Sequence, residues 1–267
     1  MQQELDYGLL TRAIREVGQT FLADFRKTAI PQTMDDLLTA VRNIEDTCFE
    51  ALQRRIDLYY PSIPWVDDDE FTADTQRRPA EHDEYWLCDT MDGAIQYLQH
   101  IPGWTINVVL VRKGRPYFSV VYDALTDELF WAVDGQGAYL YDRKLRTSTK
   151  TVGDNMLAVW EYGHQLKMHP GWRDKTADAV TGLLDCFGIV RNYGPHGLQL
   201  AYLGAGRIDL FLQDDLDTHN WLAGMLIARE AGAQVLSVDA AHWQWGDEGL
   251  LAGTANAVKL FLQTYKK

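Results

Sequence analysis

The sequence has few cysteines, no basic cluster and no long apolar run, and each absence excludes a class of protein. It contains three cysteines among 267 residues, and no two of them form a CxxC pair. Neither a disulfide framework nor a zinc site is therefore indicated. No apolar run approaches the roughly 20 residues that span a bilayer. The first residues are acidic and lack the apolar region of a signal peptide,. We therefore expect a cytoplasmic protein that does not bind membranes.

Negative charge dominates the composition, with 38 Asp and Glu residues against 25 Lys and Arg residues and a net charge of −13. Nucleic acids and anionic membrane surfaces attract clusters of basic side chains. We therefore expect no nucleic acid among the partners of this chain. A phosphorylated ligand would need local positive charge, which a metal ion or the N-terminus of a helix can supply.

The spacing of apolar residues predicts an α+β first half and an α/β second half. Amphipathic helices at 6–26 and 34–59 precede strands whose turn residues favour a mostly antiparallel sheet,. After a Ser/Thr/Gly-containing stretch at 148–153, strand and helix patterns alternate, which is typical of α/β architecture. We therefore predict two domains, 1–150 and 151–267. The remaining predicted strands are 85–88, 105–112, 117–123, 128–133, 156–161, 187–191, 207–212, 233–237 and 249–252. The remaining predicted helices are a short one ending at 100, then 171–185, 196–205, 218–231 and 255–266.

Two acidic turns follow successive predicted strands, a short one that begins at Trp65 and the strand 85–88. Residues 67–69 are three consecutive aspartates, and Asp89 and Asp92 lie about twenty residues further along. Carboxylate oxygens are preferred ligands of Mg²⁺, and two of them at one strand end can surround an ion. Gly93 permits a close approach of the backbone, and the helical turn after it directs free N–H groups towards a phosphate. An acidic run is more often a solvated loop. The order of the two turns, rather than either turn alone, therefore favours a metal and phosphate site.

The segment 86–97, Trp-Leu-Cys-Asp-Thr-Met-Asp-Gly-Ala-Ile-Gln-Tyr, resembles the W-x-x-D-P-I-D-G-T-x-N-F signature of the inositol monophosphatase family. Further segments resemble other motifs of that family, so the resemblance extends over nearly the whole chain. They are Ile-Pro at 101–102 with the strand after it, Gly-Gln-Gly-Ala at 135–138, Leu-Ala-Tyr-Leu-Gly-Ala-Gly-Arg-Ile-Asp at 200–209, Ala-Gly at 223–224 and Arg-Glu-Ala-Gly-Ala at 229–233. The resemblance implies an αβαβα layered sandwich, a homodimer, and Mg²⁺-dependent hydrolysis of a small phosphate monoester such as an inositol or sugar phosphate.

Carried over residue by residue, the resemblance places a metal and substrate site on this chain. Asp68 matches a metal-binding Glu, and Asp69 takes that place if the alignment slips by one residue. Asp89 matches an Asp that bridges two metal ions, and the backbone carbonyl of Met91 matches a ligand of the first ion. Asp92 matches the Asp of the second ion and borders the substrate. The phosphate-binding turn corresponds to Gly93 and Ala94.

Several positions depart from the family pattern, and most lose a carboxylate or a hydroxyl. Ala94 stands where a Thr orients the attacking water, and Arg42 replaces the Asp that partners this Thr. Asn220 replaces a metal-binding Asp, so a neutral amide takes the place of a carboxylate. Gln213 replaces a substrate-binding Glu. The small residues of the other substrate-facing turn become Gly194, Pro195 and His196.

These departures leave two functions open. In the first, one Mg²⁺ on Asp68, Asp89 and the Met91 carbonyl holds the ester, a second ion binds more weakly at Asp92, and a water is still activated. In the second, a diverged member with weak or no phosphatase activity binds a phosphorylated or other anionic ligand, or serves as an interaction protein.

The role of Arg42 has three interpretations. Its guanidinium pairs with Asp68 or Asp89 in place of a cation, or it binds phosphate through two parallel hydrogen bonds. Alternatively, Arg42 is an exposed helix residue that pairs with Asp46, four residues further along the same face.

Other side chains near the predicted cleft also have open roles. His196 and His219 are either acid–base groups or histidines whose ring nitrogens are satisfied by backbone partners. Trp243 and Trp245 flank Gln244 near the end of the sequence, and we interpret both as packing residues.

Overall fold

The computed structural model of the protein describes residues 4–66, 73–161 and 170–265. Over these residues the chain forms eight α-helices and eleven strands in two sheets. The elements of the first half are α1 (Tyr7–Asp24), α2 (Met34–Ile56), α3 (Ala73–Gln76), β1 (Glu84–Asp92), α4 (Ala94–Leu98), β2 (Thr105–Arg112), β3 (Arg115–Asp123), β4 (Glu128–Val133), β5 (Gly137–Leu140) and β6 (Arg143–Lys144). Those of the second half are β7 (Leu157–Glu161), α5 (Pro170–Cys186), β8 (Ile189–Asn192), α6 (His196–Gly204), β9 (Leu210–Gln213), α7 (Thr218–Glu230), β10 (Gln234–Leu236), β11 (Leu250–Gly253) and α8 (Ala255–Tyr265).

Helices α1 and α2 cover one face of the first sheet. Asp6 caps α1, because its carboxylate accepts a hydrogen bond of 2.9 Å from the backbone N–H of Leu9,. Thr33 caps α2 in the same way, with Oγ1 3.2 Å from the backbone nitrogen of Asp36. Each helix buries an apolar stripe at helical spacing. The buried residues of the two stripes are Leu10, Ala13, Ile14, Val17, Phe21, Cys48, Leu52 and Ile56.

The first sheet contains β1 to β6 in sequence order, and all neighbouring strands are antiparallel. Strand β2 is buried along seven of its eight residues, because helices cover both faces of the sheet. Trp86 and Cys88 pack towards α1 and α2, whereas Tyr85 and Leu87 belong to the core on the opposite face. This alternation along β1 follows from the two-residue repeat of a strand.

The second sheet has the strand order β10-β11-β9-β7-β8. Its strand β7 is parallel to both β8 and β9, while β11 is antiparallel to both β9 and β10. Helices α5 and α8 cover the outer face of this sheet. Their shared core includes Met156, Leu183, Leu212 and Phe261.

Helices α6 and α7 form the middle layer between the two sheets. One apolar core joins both helices to both sheets, with Val109 and Phe130 from the first sheet and Phe211 and Leu250 from the second. The two helices cross closely at glycine, since a Cβ at Gly224 would lie 2.5 Å from the carbonyl oxygen of Gly197. The layer order is therefore helix, sheet, helix, sheet, helix, and the predicted αβαβα sandwich is confirmed.

Most predicted elements appear within a few residues of their predicted bounds. The sequence did not indicate β5 and β6, which are only four and two residues long and follow the Gly-Gln-Gly turn. The boundary between the predicted domains 1–150 and 151–267 stays a prediction, and the two sheets share the α6–α7 layer. None of the described helices is long and apolar enough to cross a membrane.

Candidate functional site

Three segments meet at the candidate site: the C-terminal end of β1, the start of α6 and the loop before α7. Asp92, the last residue of β1, accepts a hydrogen bond from the backbone N–H of Gly197 in α6. His196, the first residue of α6, lies beside Asp217, the residue before α7. Both halves of the chain therefore contribute to the site.

A bulge near the end of β1 sets the direction of its two aspartates. Asp89 pairs with Asn107 of β2 and Asp92 pairs with Thr105, so three steps along β1 match two along β2. On a regular strand, side chains three residues apart point to opposite faces. The extra residue in the bulge shifts the alternation of side chains by one position. We therefore infer that both aspartates lie on the same face of the sheet.

The turn after β1 brings its backbone very close to a neighbouring loop. Gly93 has a φ of 92°, a left-handed conformation that favours glycine. A Cβ at this position would lie 2.6 Å from the carbonyl oxygen of Gly103 and 3.3 Å from Cγ of Pro195. The adjacent Ala94 is buried and presents only a methyl group. The predicted phosphate-binding turn is thus narrow and bordered by Pro195.

Asp92 is a buried carboxylate with two strong hydrogen-bond donors. The side-chain amide of Asn107 and the backbone N–H of Gly197 each donate to Oδ2 of Asp92 at 2.8 Å. Thr105 in turn donates from Oγ1 to Oδ1 of Asn107 at 3.0 Å, which fixes the orientation of that amide. Burial raises the pKa of Asp92, while the charge of His196 and the two donors oppose that rise,.

His196 is a buried histidine that is surrounded by carboxylates. Its Nδ1 lies 3.2 Å from Oδ2 of Asp217, and its Nε2 lies 3.9 Å from Oε2 of Glu161. Burial disfavours the charged imidazole, but the hydrogen bond and charge of Asp217, followed by the charges of Asp92 and Glu161, raise the pKa of His196 to about 9,. At neutral pH an imidazolium therefore lies between these three acidic side chains.

Asp217 connects the histidine to the two amides that replace carboxylates of the family pattern. Asn220 donates from Nδ2 to Oδ1 of Asp217 at 2.9 Å. Gln213 donates from Nε2 to Oδ2 of Asp217 at 2.9 Å and to Oδ1 of Asp215 at 2.8 Å. The indole N–H of Trp221 donates to Oε1 of Gln213 at 2.8 Å. Each amide N–H₂ thus stabilises an aspartate by hydrogen bonding.

Helix α2, which packs on the opposite face of the first sheet, brings the Cys48 thiol against the end of β1, with Glu45 near it. Cys48 donates from Sγ to the carbonyl of Thr90 at 3.0 Å. Burial, followed by the charges of Asp89 and Glu45, raises the pKa of the Cys48 thiol. Burial and the neighbouring Asp46 raise the pKa of Glu45 to about 7. The thiol is therefore protonated at neutral pH, whereas Glu45 titrates near it.

Two residues that the sequence placed in the cleft do not join its network or lack the expected charge. Arg42 is exposed on α2 and forms no hydrogen bond or ion pair with Asp89, Asp46 or any other described residue. His219 is buried, which lowers its pKa to about 4 despite the charge of Asp217 and a hydrogen bond to the Thr75 backbone. His219 is thus neutral at physiological pH, as the interpretation with a backbone partner expects.

The described donors at the first metal position suit Mg²⁺, although Asp68 and Asp69 lie outside the described residues. The donors are the carboxylate of Asp89 and the carbonyl of Met91, and both are hard oxygen ligands. Between them, the buried hydroxyl of Thr90 has no hydrogen-bond partner within the described part of the chain. Considering only residues 4–66, 73–161 and 170–265, no group of three His, Cys, Asp or Glu side chains could hold a metal ion.

The side chains at the predicted second metal position do not suit a divalent cation. The amide N–H₂ of Asn220 donates to Asp217. One oxygen of Asp92 already accepts hydrogen bonds from Asn107 and from the backbone N–H of Gly197. The imidazolium of His196 supplies positive charge to the same carboxylates. A metal ion at this position would face a like charge, so its binding would be disfavoured.

Sequence reasoning missed three side chains that build the site: Asn107, Glu161 and Asp217. Asn107 had a signal, since it is the only amide in the apolar run of β2 and is buried, and buried polar groups need partners. Asp217 stands where a capping residue of α7 would, yet its side chain makes no cap hydrogen bond. Glu161 at the end of β7 had no distinguishing local pattern. Among the predicted site residues, the structure joins Asp92, His196, Gln213 and Asn220 into one network through Asp217 and leaves Arg42 outside it.

The sequence matches known proteins over nearly its full length. The family model described as the inositol monophosphatase family matches residues 3–266. The chain is 28% identical to Nus factor SuhB of Pasteurella multocida over 256 residues, covering 96% of this chain and 93% of that protein. It is 27% identical to inositol-1-monophosphatase of Mesorhizobium japonicum over 274 residues, covering 97% and 96% of the two chains.

Solved structures support the same fold. The extragenic suppressor protein SuhB of Bartonella henselae superposes with a TM-score of 0.79 at 22% identity, covering 97% of this chain and 98% of that one. Inositol monophosphatase from Anabaena also has a TM-score of 0.79, at 19% identity, covering 96% and 95% of the two chains. Since the family model covers almost every residue and the layers agree, this chain belongs to the inositol monophosphatase family.

Proposed function

We propose that this chain binds a small phosphate monoester with the help of one Mg²⁺ and hydrolyses it slowly. Asp89 and the Met91 carbonyl, together with Asp68, would hold the ion. When bound, such an ion polarises the phosphate and lowers the pKa of a coordinated water. The relatives are called by two different names, a Nus factor and an enzyme, so membership of the family does not by itself establish catalysis.

The observation that carries the proposal is the ion pair of His196 with Asp217 beside the buried Asp92. A protein-borne cation acts on Asp92, the carboxylate to which the family pattern assigns a second metal ion. The charge of the imidazolium is fixed on the chain and cannot present a coordinated water. We therefore expect a one-metal site, with less stabilisation of the transition state than two ions would provide.

The turn at Gly93 and Ala94 accounts for slow hydrolysis rather than loss of binding. Gly93 keeps the backbone conformation that a close phosphate requires,. Ala94 has no hydroxyl to orient the attacking water, and Arg42 is exposed and bonded to none of the described residues. Loss of one positioning group typically lowers a rate by about 10²–10⁴-fold. We therefore expect slow, metal-stimulated turnover.

Metal stoichiometry and turnover test this proposal together. Isothermal titration with Mg²⁺, in the presence of inositol-1-phosphate, should give one bound ion per chain. Asp89→Asn should abolish that ion and the slow hydrolysis of inositol-1-phosphate and p-nitrophenyl phosphate. Asp154→Asn, which also removes one carboxylate but from an exposed loop, should change neither. Two bound ions, or turnover that persists in the Asp89→Asn variant, would contradict the one-metal proposal.

Restoring a carboxylate at the predicted second metal position provides a more demanding test. The double variant His196→Ala/Asn220→Asp removes the built-in cation and restores a carboxylate. We expect it to bind a second Mg²⁺ that the parent does not bind. If the double variant folds, which circular dichroism establishes, and still binds one ion, then His196 is not what keeps the second ion out.

A second candidate function is ligand binding without turnover, and the buried methyl group of Ala94 favours it. In that case Mg²⁺ and inositol-1-phosphate still raise the melting temperature together, but no phosphate is released over a broad substrate panel. A homodimer, implied by the family, belongs to the same proposal, and sedimentation velocity of the purified chain tests it.

A further inference from the structure

A large groove with an unusual charge lies outside the candidate site. Its walls come from the β2–β3 turn, the second half of α7, strand β10, residues 242–245 and helix α8, and it encloses about 1270 Å³. None of its lining residues belongs to the network around Asp217. This volume exceeds the roughly 300–1,000 Å³ of a typical small-molecule pocket, so an extended segment is a better match in size.

The groove is basic in a strongly acidic protein. Arg115, Arg229, His242 and Lys259 line it, and no Asp or Glu does, although acidic residues outnumber basic ones by 38 to 25 in the whole sequence. Arg229 is already paired, since its Nη2 lies 2.5 Å from Oδ1 of Asp134.

Arg115 and Lys259 are the two cations of the groove that remain available. Both are exposed, and no ion pair within the described part of the chain includes either of them. The groove therefore carries positive charge that no ion pair among the described residues neutralises.

Apolar surface accompanies the positive charge. Val235, Leu236 and Leu262 are partly exposed on the groove walls. Trp243 and Trp245, which the sequence suggested were packing residues, also line the groove. Their indole N–H groups are buried and have no acceptor among the residues that the structure describes. Both N–H groups are enclosed, so these walls offer a ligand apolar contact rather than hydrogen-bond donors.

We propose that this groove binds an acidic, partly apolar peptide segment of a partner protein. Carboxylates of the segment would pair with Arg115 and Lys259, and its apolar side chains would contact the groove walls. A nucleic acid fits less well, because it needs a continuous series of cations along its backbone and only two are uncommitted here. A second copy of this chain fits less well when two-fold symmetry brings equivalent grooves face to face, because like charges would then oppose each other.

Selection from a random peptide library tests the proposal without assuming a ligand. Fifteen-residue peptides are displayed and selected on the full chain, with counter-selection on the charge-reversed variant Arg115→Glu/Lys259→Glu. We expect enriched peptides to combine Asp or Glu with Leu, Ile, Val or Phe. In fluorescence anisotropy with a labelled enriched peptide, the charge-reversed variant should bind at least tenfold more weakly than the parent.

A matched control separates the effect of charge in the groove on peptide binding from the effect of the net charge of the protein. Lys27→Glu/Arg54→Glu changes the net charge by the same amount at two exposed positions, one in the loop between α1 and α2 and one in α2, and it should bind the peptide like the parent. Hydrogen exchange of the complex should show protection at residues 234–245 and 258–262.

Three outcomes would overturn the proposal. The first is enrichment of peptides without acidic residues, or protection elsewhere on the chain. The second is a labelled 15-mer of oligouridylate that binds more tightly than the peptides and loses affinity in the charge-reversed variant, which would make the groove a nucleic-acid site. The third is a change in sedimenting mass of the charge-reversed variant alone, which would make it an interface between copies.

Discussion

The buried imidazolium of His196 should make the stability of this protein depend on pH in a predictable direction. Its pKa is about 9 in the folded chain, against about 6.5 in an unfolded one. Because the folded pKa is the higher of the two, the contribution is fully present below pH 6.5 and is lost as pH rises through 9. The difference of about 2.5 units, at about 1.36 kcal/mol each, corresponds to roughly 3 kcal/mol.

Comparison of two unfolding profiles isolates this contribution. Urea denaturation of the parent and of His196→Gln, followed by tryptophan fluorescence between pH 6 and pH 9, gives the difference in unfolding free energy at each pH. We expect that difference to shrink by about 3 kcal/mol over this range. His82→Gln, at an exposed histidine, should give a profile parallel to that of the parent. Parallel profiles for parent and His196→Gln, or an NMR titration of the His196 ring with a midpoint near 6.5, would refute the reasoning.

Three further perturbations follow from individual contacts. Gly93→Ala should destabilise the fold by about 2–4 kcal/mol in thermal unfolding, because its Cβ would collide with a backbone carbonyl 2.6 Å away. Gly135→Ala, which also has a positive φ but open space around it, should cost only about 1 kcal/mol. Glu45→Gln should flatten the pH profile of stability between pH 5 and 8, since the raised pKa of Glu45 makes its contribution decline as pH rises through 7,. Asn220→Asp should cost over about 2 kcal/mol in urea denaturation, because it replaces a donated hydrogen bond with a like charge, whereas Asn256→Asp on an exposed helix start should cost less than about 1 kcal/mol.

The fold was largely predictable because its core patterns are long and regular. The stripe of α1 repeats over five helical turns and ends near Asp24, and the apolar run of β2 is buried on both faces. Such elements are specified locally, by periodicity and by capping residues such as Asp6 and Thr33. Strands β5 and β6 have too few residues for a period to appear, and their pairing depends on the tight turns between them.

The site was less predictable because its side chains come from distant parts of the sequence. The Asp89–Gly93 turn could be located in the sequence, because all of its residues are contiguous at the end of one strand. The contact of His196 with Asp217 and the approach of Glu161 depend on how α6, α7 and β7 pack together, which no local pattern encodes. Arg42 shows the converse, because the substitution is visible in the sequence whereas its exposed position on α2 depends on how the helix rotates against the sheet.

The substitutions around Asp217 are consistent with one another when charge is counted. Asp92, Glu161 and Asp217 face a single imidazolium at His196, so acidic groups outnumber cations in this buried space. Carboxylates at positions 213 and 220 would add two more, and without a metal ion those charges would be strongly unfavourable. Amides at both positions avoid that charge and donate hydrogen bonds to Asp217 instead. The histidine and the two amides therefore act together. They limit the negative charge around Asp217, which a divalent cation would otherwise have to balance.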